Sequence, residues 1–143
     1  MGCPSKEMAE VFQLEIVTPE KQVVSDTAEE VQIPGKRGYL GVLPGHAPLI
    51  TELSVGEIIY RNGGQPHYLA VAWGFAEVLP DKVTILAEAA ERPDEVDVAR
   101  AQQAKQRAEE RLKSQDPSTD YERALYSLKR AEVRLDVAGK KHP

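Results

Sequence analysis

From Val11 to about Glu88 the hydrophobic positions come in short runs with a period of two, broken by turn residues. Phe12, Leu14 and Ile16 alternate with Gln13, Glu15 and Val17, the spacing of a strand with one face buried. Breaks follow at Thr18-Pro19, Pro34-Gly35, Pro44-Gly45, Asn62-Gly63-Gly64 and Pro80-Asp81. Asn62-Gly63 lies between Glu57–Arg61 and His67–Val71 and supplies residues that tolerate the positive φ angles of a tight hairpin. Turns at this spacing, with β-branched and aromatic residues between them, predict an antiparallel sandwich or barrel.

After Ala87 the period becomes helical. Asp94 is placed to cap a helix whose apolar side runs through Val98, Ala101, Ala104, Ala108 and Leu112. Ser114-Gln115-Asp116-Pro117-Ser118 interrupts it, because proline forbids continuation and its polar neighbours favour turns. A second helix is expected to start on Thr119 and Glu122, which have capping-box spacing. Its stripe is Tyr121, Ala124, Leu128, Ala131, Leu135 and Ala138, and Gly139 ends it. Two alanine-rich stripes approach closely but bury little large apolar surface, so the hairpin needs a third surface. The strand domain, a bound ligand and another protein are all candidates for it.

At 143 residues, the chain has room for one medium domain or a small domain with a helical appendage. With 41% hydrophobic and 29% charged residues it has a globular balance, which excludes a disordered or disulfide-scaffold chain. The single cysteine, Cys3, cannot form an internal disulfide, which fits a reducing compartment. Apolar runs such as Tyr68–Trp73 are far shorter than a membrane-spanning helix requires. The N-terminus lacks a signal-peptide core and carries Lys6 where a myristoylation signal needs Ser or Thr, so no membrane insertion is expected. The net charge of −5 is unevenly spread: residues 1–91 carry 6 basic and 13 acidic side chains, the rest 12 basic and 10 acidic. The halves are thus expected to meet different partners, and a net +2 over the helices argues against nucleic acid.

No Walker loop, nucleophile elbow or Cys/His cluster is present, and His46, His67 and His142 are widely separated. The chain is therefore expected to have no catalytic residues, no metal ligands and no required cofactor. Trp73 is expected in the core or at a subunit interface, and Tyr121 and Tyr126 in hairpin packing. The most distinctive segment is Gly38-Tyr39-Leu40-Gly41-Val42-Leu43-Pro44-Gly45-His46-Ala47-Pro48-Leu49. A strand, a Pro-Gly turn and a second corner at Pro48 would present His46 and Ala47 from a stiff loop; physics alone also accommodates an ordinary hairpin connection.

This segment resembles the G-x-L-G-(I/V)-x-P-G-H-A-P loop of the epsilon subunit family of F-type ATP synthases. Gly74-Phe75-Ala76-Glu77-Val78, Val83-Thr84-Ile85-Leu86-Ala87 and the helical tail follow in the family's order, so the resemblance covers almost the whole chain. It implies an α+β, mainly β architecture: an N-terminal antiparallel β-sandwich over residues 1–88, a C-terminal antiparallel α-helical hairpin over 92–139, and a tail at 140–143. It further implies a non-catalytic subunit of the rotor stalk, peripheral to the cytoplasmic face of a bacterial plasma membrane. The expected partners are the gamma subunit, the c-ring and the alpha/beta catalytic head. Gly41, Pro44, His46 and Pro48 would belong to the loop facing the c-ring, and the hairpin would restrain ATP hydrolysis when extended.

Val96-Asp97-Val98-Ala99-Arg100-Ala101 resembles the (I/L)-D-x-x-R-A motif with which some bacterial epsilon subunits bind ATP, with Val96 replacing Ile or Leu. Glu91, Arg107, Arg130 and Arg134 match the other positions those members use, so ATP is implied as a regulatory ligand of Glu91, Asp97, Arg100, Arg107, Arg130 and Arg134. Arg100 and Arg107 share a helix face, as do Arg130 and Arg134, and guanidinium forks suit a polyanion. Charges at helical spacing also make an ordinary solvated face, with Glu109, Glu110 and Glu132 available as partners. Empty, the arginines are expected to repel one another. Two other functions fit the helices alone: a stand-alone nucleotide sensor, and an adaptor that joins a partner's coiled coil.

Overall fold

The computed structural model describes residues 10–140; Cys3, Lys6 and His142 lie outside them. Eight strands precede two helices: β1 (Phe12–Val17), β2 (Gln22–Ala28), β3 (Glu30–Gly35), β4 (Gly38–Val42), β5 (Leu49–Leu53), β6 (Gly56–Asn62), β7 (Gln65–Val78) and β8 (Lys82–Glu91). A 3₁₀ turn (Pro93–Glu95) leads to α1 (Val98–Lys113) and α2 (Tyr121–Ala138). The strand domain is a mainly antiparallel β-sandwich, as the turn spacing and the resemblance predict. Its last strand runs on to Glu91, past the expected boundary at 88.

The strands form one hydrogen-bonded path, β2-β1-β8-β7-β5-β3-β4, with β6 bridging β3 and β7. One pair departs from the antiparallel expectation, because β1 and β8 run parallel, with Leu14 opposite Val83 and Ile16 opposite Ile85. They come from the two ends of the domain, and parallel neighbours need such a long connection. β7 pairs with β6 through Gln65–Val71 and with β5 through Gly74–Val78, so it serves both layers of the sandwich. Its inward side changes parity on the way: Leu69 and Val71 enter the core in the first half, Ala76 and Val78 in the second. The switch falls at Trp73 and Gly74, whose φ angles are 58° and 126°.

Leu14, Ile16, Ile33, Ile58, Leu69 and Ile85 are fully buried and anchor a core cluster whose members lie between Phe12 and Ala87. Ala70 and Ala72 alternate with Leu69 and Val71 and so face away from that cluster, yet they are buried, and the cover comes from α2, which lies against β6 and β7. α1 rests on α2, and the two helices close on Ala101, Ala108, Ala124 and Ala131. The sandwich is thus the hairpin's third surface.

The helix starts differ from expectation. Asp97, not Asp94, caps α1, its carboxylate accepting from the Arg100 N–H, because Pro93–Glu95 is taken up by the 3₁₀ turn. Asp120, not Thr119, caps α2 by accepting from the Arg123 N–H. Asp97 lies three residues closer to the helical run than Asp94, and Asp120 one residue closer than Thr119, where a carboxylate caps at least as well as a threonine hydroxyl. Gly139 ends α2 as predicted, its N–H donating to the Leu135 carbonyl.

Candidate functional site

Two places carry the residues singled out by sequence. The first is the loop between β4 and β5. Gly45 turns with φ 84° and donates its N–H to the Pro80 carbonyl at 2.8 Å, while the His46 N–H donates to the Leu43 carbonyl at 3.2 Å. These bonds fasten the loop to itself and to the β7–β8 turn. His46 is half-buried, with Nδ1 2.7 Å from the Ala47 carbonyl oxygen, and Leu43, Ala47 and Pro48 are exposed around it. Gly41 is exposed at the end of β4 and Pro44 is half-buried at the turn. The expected stiff loop is present, and its apolar edge is turned outward.

The second place is a cleft of about 710 Å³ between hairpin and sandwich. Glu91 stands at the end of β8, Asp97 and Arg100 come from the start of α1, and Arg130 and Arg134 come one turn apart on α2. Five of the six expected ligand residues therefore line one space, whose volume lies in the roughly 300–1,000 Å³ range of small-molecule sites. Arg107 does not line it; it is exposed, further along the α1 face that carries Arg100 and Ala104. Thr18, Lys21 and Glu88, which sequence reasoning missed, form the sandwich wall. Thr18-Pro19 had signalled a turn, but no local pattern ties it to helices eighty residues away.

The charges in this cleft differ from four mutually repelling arginines. Arg134 donates from Nε to Glu91 Oε1 at 2.7 Å and from a terminal nitrogen to Oε2 at 3.1 Å, a forked, half-buried ion pair. Its partner is thus Glu91 from the sandwich rather than Glu109, Glu110 or Glu132. Arg100 and Arg130 have no ion-pair partner among the described residues, which leaves two guanidiniums uncompensated beside the neutralised one.

Two further ion pairs tie the helical part down. The Arg92 N–H donates to Glu95 Oε1 at 2.8 Å and Lys21 Nζ lies 2.9 Å from Oε2; together they hold the Glu95 carboxyl below its usual 4.5. At the end of α2, Lys140 Nζ reaches both oxygens of Glu57 at 3.0 and 2.8 Å and sits 4.8 Å from the Tyr68 ring centre. Glu57 holds the Lys140 ammonium above its usual 10.5, against the opposing effect of burial. A carboxylate held down contributes above its unfolded pKa and is lost as pH falls through the folded value; an ammonium held up contributes below its unfolded pKa and is lost as pH rises through the folded value. Docking of the hairpin, read as hydrogen exchange of α2, should therefore be flat near neutrality and weaken in acid and again above about 10.5. Lys140→Met should remove the alkaline limb; an unchanged limb would show that the Lys140–Glu57 pair does not hold the hairpin.

Among the described residues no helix is long and apolar enough to cross a membrane, and no cluster of His, Cys, Asp and Glu is arranged to hold a metal. Comparison with known proteins then covers both parts. Residues 11–93 match the model of the ATP synthase delta/epsilon chain β-sandwich domain, and residues 94–139 match that of its long α-helix domain. An ATP synthase epsilon chain of Koribacter versatilis is 73% identical over 110 residues, covering 77% of this chain and 78% of that one. ATP synthase epsilon chain 2 of Syntrophotalea carbinolica is 48% identical over 134 residues, covering 93% and 97%. A chain in the Euglena gracilis mitochondrial ATP synthase, solved as OSCP/F1/c-ring, superposes with a TM-score of 0.76 at 22% identity over 90% of this chain and 81% of that chain, which shows the shared fold. The chain belongs to the ATP synthase delta/epsilon family.

Proposed function

We propose that this chain is the epsilon subunit in the central stalk of a bacterial rotary ATP synthase, non-catalytic itself and peripheral to the cytoplasmic face of the plasma membrane. The sandwich joins the gamma subunit and the c-ring, so torque and ion flow stay coupled to ATP synthesis. The hairpin leaves the sandwich to restrain hydrolysis in the alpha/beta head, and ATP in the cleft favours the docked state. The observation that carries this is the way the hairpin is held. It lies on Ala70, Ala72 and Ala89 through a single helix, with arginines from both helices gathered over the sandwich edge. Small side chains bury little area, so the docked state is worth only a few kcal/mol, the range in which a ligand shifts populations.

Surfaces for the fixed partners are available. Phe75 and Leu86 are register neighbours on the outer sheet face, 53% and 55% exposed, with Ile50 70% exposed nearby. A bare apolar stripe of this kind fits a permanent subunit contact such as gamma. The rigid loop with Leu43, Ala47 and Pro48 outward fits the contact with the c-ring, and neither a stand-alone sensor nor a coiled-coil adaptor has use for it. His46→Glu should leave thermal unfolding within a degree or two, since the ring's one polar contact is with the adjacent Ala47 carbonyl, yet weaken attachment of the catalytic head to the membrane sector. If the substituted chain co-purifies with the intact ATPase as well as the unaltered chain does, the loop is not the c-ring contact. If neither co-purifies, the rotor assignment itself fails.

A further inference from the structure

Trp73 occupies a backbone position that a tryptophan should avoid. Its φ of 58° lies in the left-handed region, where a bulky side chain crowds its own carbonyl, and among the described residues it is the one non-glycine there. The fold needs that conformation. At Trp73 β7 leaves β6 for β5, the Trp73 N–H donates to the Ser54 carbonyl at 3.3 Å, and the inward side of the strand changes from odd to even positions. A glycine would satisfy the same geometry without strain, as Gly74 does immediately after it with φ 126°.

The indole is not spent on the core. Trp73 is half-buried and absent from the core cluster, and its ring meets the Tyr126 ring of α2 edge-on, with centres 5.0 Å apart and planes at 70°. Such T-shaped pairs are attractive beyond the area they bury. The other ties between α2 and the sandwich, Arg134–Glu91 and Lys140–Glu57, lie further along the same helix toward its C-terminus. Tyr126 is the tie nearest the hairpin turn.

We propose that Trp73 is a strained latch: the chain tolerates an unfavourable backbone at the β7 crossover so that an indole can hold Tyr126 and with it the turn-proximal half of the docked hairpin. Strain held in place by surrounding contacts marks positions with a role beyond folding. The consequence is an unusual pair of signs. Removing the side chain should relax the sandwich while loosening the hairpin, whereas a residue that merely packs would weaken both. The inference draws on the mobile-hairpin reading for its use but not for its test, which is made on the free full-length chain.

The test is amide hydrogen exchange of the full chain with Trp73→Gly, Tyr126→Ala and the pair combined. With Trp73→Gly, exchange in the first half of α2 should rise about three- to tenfold, the worth of an aromatic pair, while exchange of the core strands β1, β3 and β6 becomes slower. Tyr126→Ala should loosen the helix by a similar factor and leave the strands unchanged, and the double change should loosen it no further than either alone. Unchanged exchange in α2 for Trp73→Gly, or additive losses in the pair, would remove the latch. Faster exchange in the strands would show that the left-handed Trp73 carries no strain.

Discussion

Gly74→Ala should unfold the sandwich more readily than alanine at any other glycine among the described residues, lowering stability by about 3 kcal/mol and the midpoint by on the order of 10 °C. A Cβ at Gly74 would stand 1.9 Å from the Leu86 carbonyl oxygen and 2.9 Å from the Ala87 Cα, both backbone atoms of the neighbouring strand. Neither can give way unless the β7–β8 ladder opens, and that ladder holds Phe75 opposite Leu86 and Ala76 opposite Ile85 in the centre of the path. The φ of 126° adds a conformational cost, since l-residues rarely adopt it. Gly41→Ala is the matched control: nothing lies within 4 Å of its Cβ, so denaturant unfolding should be nearly unchanged. A loss below about 1 kcal/mol for Gly74→Ala would mean that β7 and β8 do not pair in this register.

Arg134→Ala should reduce ATP affinity of the isolated chain about ten- to a hundredfold, the worth of the charge-assisted hydrogen bonds of one guanidinium. The loss would be compounded because Glu91, now unpaired at the end of β8, would leave a negative charge facing the phosphates. Arg130→Ala should cost a similar factor. Arg107→Ala, at a position the family resemblance counts among the ATP ligands, should cost less, because Arg107 is exposed outside the cleft lining. Arg111→Ala should cost nothing, since Arg111 lines a separate hollow near the hairpin turn with Arg123. Calorimetry showing no binding at millimolar ATP, or equal losses at all four positions, would return the arginines to an ordinary solvated face.

The strands and the helical hairpin were legible because each announces itself locally. The alternation of Phe12, Leu14 and Ile16 appears as three buried positions, and Gly139 stops α2 where glycine should. What stayed hidden depends on distant partners. The parallel pairing of β1 with β8 joins segments about seventy residues apart, and no hairpin signal reports it. The parity change in β7 was masked because Leu69-Ala70-Val71-Ala72 reads as a continuous apolar run, with two of its residues meeting the core and two meeting α2. Family resemblance named Arg100, Arg130 and Arg134, which line the cleft, together with Arg107, which does not, and it gave no sign of the charge balance, since the Arg134–Glu91 pair joins residues 43 apart in the chain.

The rotor account stands most directly on hydrolysis by the catalytic head. The core cluster is complete within Phe12–Ala87, so a chain ending at Glu91 keeps its sandwich and uncovers Ala70, Ala72, Ala89, the Trp73 ring, the Glu57–Tyr68 contact of Lys140 and the β8 end. ATPase activity of the reconstituted alpha/beta/gamma head should be measured with the full chain and with the chain ending at Glu91, each shown to be bound to gamma. A faster rate with the shortened chain is expected, because the segment that restrains rotation in the hydrolysis direction is then missing. Equal rates, with both chains bound, would contradict a restraining hairpin in this protein.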